Sequence, residues 1–280
     1  MMMSRQSCSG AVAVSAVILI LSLGSLISCS TSPLGRKQLT LMPDSQMASM
    51  GAQSFEDMKK QTPIDTDAKD NAYVKCIAEP LIRVANAQMG DQVPGGNWEI
   101  VVFQDKTPNA FALPGGKIGV NTGIFPVAKS DAQLAAVIGH EIGHVIAKHG
   151  NERVSENLEA QGGLMAIGAL TQNSGMLGQL LGIGAQAGAQ LGFLLPHSRT
   201  QESEADLIGL DLMSQAGFDP HQSVELWKNM SAAGGGAPPE FMSTHPSDSR
   251  RIQALTDNIP AVLPKYQAAQ VSGSRPHCAR

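Results

Sequence analysis

Apolar positions recur at helical spacing over most of this chain and alternate, as in strands, over one short region. A helical pattern runs through Ser45 to Lys60, and another from about Asp67 to Ala87. In the second, Tyr73, Ile77, Leu81 and Val84 return every three or four residues and so share one face. Gly90 and Pro94-Gly95-Gly96 end it. Trp98 to Phe103 is rich in β-formers and predicts a strand. Asn109 to Leu113 and Lys117 to Val120 flank Pro114-Gly115-Gly116, a turn signal that predicts a hairpin. The clearest helix runs from Ser130 to Lys148, apolar nearly all round and therefore interior. Ser130 is its cap, with Gln133 three residues on completing a capping box. A second box, Ser198 with Gln201, opens a helix that reaches Ala216 and stops at Gly217, with Pro220 beyond. A helix from Pro220 to Met230, a Gly/Pro-rich loop over Ala232 to Pro239 and a last helix from Pro246 through Ile252 and Leu255 follow. Residues 261–280 read as a disordered tail. No internal repeat is visible.

Residues 160–198 carry no Asp, Glu, Lys or Arg, and are broken by Gln172-Asn173-Ser174-Gly175. A membrane-inserting hairpin and a pair of buried or partner-facing helices both fit this composition. Each half is short for a span and contains Gln, which favours the second.

The chain of 280 residues is 42% apolar, enough for one sizeable core, and only 4% aromatic. A net charge of −4 gives no basic field for a nucleic acid. Near the start, Arg5 precedes an apolar run from Ala11 to Ile27, which reads as a signal peptide rather than a span. Four regions result: a signal over 1–28, a tether and helix over 29–66, a main domain over 67–260 and the tail. Leu26-Ile27-Ser28-Cys29 resembles the bacterial lipoprotein cleavage site. That resemblance implies a lipid on Cys29 and a bacterial periplasmic location; Ser30 in place of aspartate favours the outer membrane. Cys76 and Cys278 then remain, as one disulfide or as two unpaired thiols; the sequence leaves both open.

Chemistry concentrates at His140-Glu141-Ile142-Gly143-His144, an H-E-x-x-H motif on the clearest helix. Histidines four apart stand one above the other on a helix, so both rings reach one ion. Glu141 lies beside that ion without being a ligand, placed to take a proton from attacking water. Two buried imidazoles and a carboxylate in an apolar helix need partners, and a metal supplies them. A catalytic zinc takes a third protein ligand and keeps one position open. Glu202-Ser203-Glu204-Ala205-Asp206 offers one: Glu202 and Asp206 share a face, Asp206 one turn on as a hydrogen-bond partner for a ligating imidazole, and Glu204 points nearly opposite.

The two motifs together, H-E-x-x-H at His140–His144 and E-x-x-x-D at Glu202–Asp206, resemble the membrane-linked zinc metallopeptidases that include CAAX prenyl-protein endopeptidase, HtpX, BepA and LoiP. Asn109-Ala110-Phe111-Ala112 with its Pro-Gly-Gly, Ser198-Arg199 and Thr244-His245-Pro246 match as well, so the similarity covers roughly residues 70 to 260. The resemblance implies a mostly helical α+β gluzincin domain, zincin-like, with a small hairpin sheet beside the active-site helix. It implies one zinc per chain on His140, His144 and Glu202, with Glu141 as base. It further implies that His245 faces the metal, as oxyanion donor or as a swinging fourth ligand, and that substrate lies along the Phe111 hairpin. The lipoprotein start points to the periplasmic branch and to misfolded or unassembled envelope proteins as substrates. His149, too far along its helix, and His197, in a bend beside Pro196, are not expected among the ligands. The competing expectation is a zinc-containing assembly factor or chaperone without proteolysis; the absence of cysteine near the motifs and the presence of Glu141 weigh against it.

Overall fold

A computed structural model describes residues 29–89, 97–170, 197–233, 245 and 249–280. It starts with an antiparallel hairpin, β1 (Cys29–Thr31) and β2 (Lys37–Leu39). Where the sequence suggests a loose tether, the chain is thus ordered. Gly35 takes the left-handed conformation (φ 87°) that the reversal requires, and the Arg36 N–H donates to Ser32 Oγ at 3.1 Å.

Helices α1 (Asp44–Gln61) and α2 (Ala68–Met89) follow. Of the expected stripe on α2, Tyr73, Ile77 and Leu81 are buried and Val84 is half-buried, while Val74 and Ala85 beside it are fully covered. The sheet comprises β3 (Glu99–Phe103), β4 (Ala110–Leu113) and β5 (Lys117–Asn121), in the spatial order β3-β5-β4. The expected hairpin is β4 with β5; β3 joins parallel to β5, which leaves β4 at the edge. Phe55 of α1 packs edge-on against Phe103 and Phe111, at ring separations of 6.1 and 6.2 Å, and fixes α1 to the sheet.

Helix α3 (Asp131–Ile146) is buried along most of its length, in keeping with its apolar composition. Its cap is one-sided. Ser130 Oγ accepts from the Gln133 N–H, but the Gln133 carboxamide accepts from the Lys129 N–H instead of closing the box on Ser130. That side chain is drawn toward the next-but-two helix, α6 (His221–Ala233), where it meets Gln222 and Asn229. Lys148 at φ 56° ends α3, and α4 (His149–Leu170) leaves in a new direction. Helix α5 (Arg199–Gln215) carries the complete capping box of Ser198 and Gln201.

The decisive packing event is the crossing of α3 and α5, which meet on glycines. A Cβ on Gly143 would stand 2.8 Å from the Ala205 carbonyl, and one on Gly209 2.7 Å from the His140 nitrogen. Backbones this close bring the first turn of α5 under the histidines of α3.

The C-terminal region departs from the sequence reading. Helix α7 (Ser249–Val271) continues through Pro260 and Pro264, because Leu255, Ile259, Val262 and Ala269 along it are buried. Burial of that face outweighs the hydrogen bonds the prolines remove. Beyond it Cys278 forms a disulfide with Cys76 of α2, and Arg280 pairs with Asp70 at 2.6 Å while lying 4.2 Å from the Phe125 ring. A cross-link spanning 202 residues restricts the unfolded chain and contributes about 2–4 kcal/mol. The tail is therefore docked, not disordered.

The result is a mostly helical α+β domain with a small sheet beside α3. Among the described residues no helix is long and apolar enough to cross a membrane. Most of the uncharged 160–198 stretch, the expected signal segment before Cys29 and most of the Gly/Pro-rich loop expected over Ala232 to Pro239 lie outside the described residues.

Candidate active site

His140 and His144 project from one face of α3, one turn apart, with Nε2 atoms 3.0 Å from each other. Glu202 rises from the first turn of α5, fully buried, with carboxylate oxygens 3.4 Å from each of those nitrogens. His245 closes the group: its Nδ1 is 3.2 Å from His140 Nε2 and 3.0 Å from Glu202 Oε1. Three imidazole nitrogens and a carboxylate thus converge on one point.

This donor set fits a metal. Lone pairs at such separations repel unless a cation lies between them. Zinc bonds of about 2.0–2.1 Å in tetrahedral array place ligand atoms about 3.3 Å apart, which is the spacing found here. The electrostatics show the same demand for positive charge. Burial disfavours the His140 imidazolium, but the Glu202 and Asp206 carboxylates outweigh it and raise its pKa to about 10. Burial also opposes ionisation of Glu202, yet His245 and His140 hold it well below the usual carboxylate range. His144, by contrast, is pushed down by burial.

Glu141 stands beside this group, not in it. Its Oε1 is 3.5 Å from His245 Nε2, and the Ala112 backbone of the edge strand lies close to its carboxylate. Burial raises its pKa, against the pull of His245 and His140, which makes it a better proton acceptor than an exposed glutamate.

Behind the donors, His140 Nδ1 lies 2.9 Å from Asp206 Oδ1. Asp206 accepts two hydrogen bonds from Arg251 of α7, at 2.7 and 2.8 Å, and Arg251 also reaches Glu202 at 2.8 Å. Its guanidinium stacks on Trp227, 4.0 Å from the ring centre. Sequence reasoning missed Arg251; its only signal was a basic residue six positions after His245.

It also set aside His149 and treated Glu204 as pointing away. Lys148 turns the chain, so His149 opens a new helix and folds back to place Nδ1 2.8 Å from His144 Nδ1. Its Nε2 is 3.1 Å from Glu204, which is buried rather than solvated. Burial would raise the Glu204 pKa, but His149, Ser32 and Arg36 bring it down to about 2. The His197 ring centre lies 3.8 Å from that of His144, with the two planes tilted by 30°.

A cleft of about 680 Å³ opens onto the group, between β4, α1 and the start of α4. Glu141, His144, His197 and His245 line its floor, with Met47, Phe111 and Leu113 along its walls.

The family model of peptidase family M48 matches residues 68–259, which hold every donor described above. The chain belongs to peptidase family M48. Its members use zinc, and among the described residues His140, His144, Glu202 and His245 are a group that could hold the ion; His144, His149 and His197 form a second such group, which has no carboxylate. Among relatives, the mitochondrial metalloendopeptidase OMA1 of Schizosaccharomyces pombe is 41% identical over 199 residues, 70% of this chain and 55% of that protein. The human metalloendopeptidase OMA1 is 30% identical over 240 residues, 82% of this chain and 45% of that one. The beta-barrel assembly-enhancing protease of Escherichia coli is 27% identical over 214 residues, 74% of this chain and 42% of its own length. The chain spans about half the length of these relatives.

The relatives correct one expectation. Residues Leu26 to Cys29 suggested a bacterial periplasmic protein at the outer membrane, but the relatives of higher identity are mitochondrial. An apolar run followed by cysteine is only a few residues of information, and that placement does not stand. The matches carry the family and not its lipoprotein branch.

Proposed function

We propose that this M48 chain is a zinc-dependent endopeptidase acting on unfolded or unassembled proteins. The observation that carries the reading is the convergence of His140, His144 and Glu202 at zinc spacing, with Glu141 beside them at the edge of an open cleft. A zinc ion held there would supply Lewis acidity toward a peptide carbonyl and lower the pKa of water. Glu141 accepts a proton from the attacking water and returns it to the leaving amine. Asp206, fixed by Arg251, holds the His140 ring with Nε2 toward the ion. β4 is an edge strand whose Ala112 backbone already lies close to Glu141. An extended substrate adding to that edge would present its backbone to the base. An unfolded segment offers a free strand along its whole length, while folded domains protect most of theirs in sheets and helices, which favours unfolded segments as substrates. A chemically unfolded reporter protein should be cut, and a folded version spared; cleavage of neither contradicts the proposal.

His245 completes the donor set in this structure, and that supports a gating role in which it holds the site closed until substrate enters. His245→Ala is then expected to raise cleavage about tenfold, self-cleavage included, by removing the closed population. Lower turnover with unchanged zinc would assign His245 instead to oxyanion stabilisation. If turnover, self-cleavage and zinc affinity all match wild type, His245 has neither role.

A membrane tether at Cys29 is a separate proposal, supported by the apolar run that leads directly into this residue. Cys29→Ala should release the protein from membranes with the domain still folded. Intact-mass measurement showing an unmodified Cys29 in the membrane-bound wild type contradicts it.

A further inference from the structure

We propose that His149, Glu204 and Arg36 form a relay that positions the metal ligand His144 from behind, and so ties the N-terminal hairpin to the zinc site. This rests on the zinc reading above and extends it to residues outside the ligand set. His144 turns Nε2 to the other donors, 3.0 Å from His140 Nε2. A ring that offers the Nε2 lone pair to a metal carries its proton on Nδ1. That Nδ1–H points at His149 Nδ1, 2.8 Å away, so His149 must accept there. A neutral imidazole accepting at Nδ1 has its proton at Nε2, and His149 Nε2 is 3.1 Å from Glu204 Oε2, an acceptor. Every donor meets an acceptor in one direction only.

The far end is equally fixed. Glu204 accepts from Arg36 Nε at 2.9 Å, and the rest of that guanidinium is bound by Glu152, at 2.7 Å for one pair. Glu152 in turn accepts from Gln201 Nε2 at 2.7 Å. Arg36 sits immediately before β2, in the reversal of the hairpin, so the hairpin is tied to the relay. His149 is fully buried, where a ring without partners would be costly.

The arrangement parallels the other histidine. His140 backs onto Asp206, which Arg251 holds; His144 backs onto His149 and Glu204, which Arg36 holds. Each ligand ring ends in a carboxylate clamped by an arginine from a distant part of the chain. Partners of this kind fix ring orientation and typically change metal affinity by about 10–100-fold. His149 and Glu204 are positioning residues: they act through His144 and touch no substrate.

Two substitutions at His149 separate the relay from simple packing. Asn places an acceptor near the position of Nδ1, facing His144, and loses the link to Glu204. Gln places its polar end near the position of Nε2, keeps Glu204 and loses the acceptor. Zinc affinity of the full-length protein, measured by competition with a chromogenic chelator, should fall about 10–100-fold in His149→Gln and markedly less in His149→Asn. Arg36→Ala, in a less buried place, should lower affinity several-fold with the circular dichroism spectrum unchanged, and Arg36→Lys should recover part of it. Equal losses in His149→Gln and His149→Asn, or zinc affinity unchanged in His149→Gln and Arg36→Ala, would overturn the relay while wild-type zinc binding leaves the parent reading intact. Wild type without zinc binding would overturn both. If His149→Gln fails to fold, the Arg36 pair decides the question alone.

Discussion

Glu141→Gln retains one zinc per chain and loses nearly all proteolysis, by about 10²–10⁴-fold in turnover. The substitution is isosteric, and its amide keeps an acceptor oxygen in the same place. Packing and ligand geometry therefore persist, and only proton transfer is lost. Zinc content by atomic emission and cleavage of an unfolded reporter, on the same preparation, check both halves. Loss of zinc would make Glu141 a ligand; full activity would remove it from the chemistry.

The second large effect is at Glu202. Replacing it with alanine takes away the only carboxylate in that donor set, and with it a carboxylate that Arg251 contacts at 2.8 Å. Zinc affinity should fall by more than about 100-fold, beyond the range expected for partners that only orient a ligand. Asp206→Asn should fall within that range. On the E-x-x-x-D spacing alone, Glu204→Ala would leave zinc untouched; with His149 on Glu204 it joins Asp206→Asn as an intermediate case. Chelator competition across the three variants gives the ranking. If Glu204→Ala loses more zinc than Glu202→Ala, the assignment of the third ligand is wrong.

How far the sequence could lead depended on whether a signal was local. Helix ends were legible where a side chain caps its own turn, as Ser198 and Gln201 do for α5. The pairing of β4 with β5 was legible because Gly115 and Gly116, at φ 83° and 77°, mark the turn between them. The addition of β3 on the far side of β5 had no local mark. Ser130 capped as expected, while Gln133 was taken by Gln222 and Asn229, residues about ninety positions away. His140, Glu141 and His144 share one helix and needed only its periodicity. His149 was expected outside the ligand set, but its place behind His144 was not legible, because Lys148, a non-glycine residue in the left-handed region, ends the helix and turns the chain back. Arg36 and Arg251 reach the site from opposite ends of the chain and carry no motif. The C-terminal residues 261–280 carry no motif and read as a disordered tail, yet α7 buries its apolar face and Cys278 finds Cys76.

The central claim is that one zinc, held by His140, His144 and Glu202, serves peptide hydrolysis. Protein stripped by a chelator and titrated with zinc tests it directly, with cleavage of an unfolded reporter followed at each addition. Activity should be absent at the start, rise in proportion to zinc and level off at one equivalent per chain. Cleavage that persists in the stripped protein, or that never appears at any stoichiometry, would contradict the account.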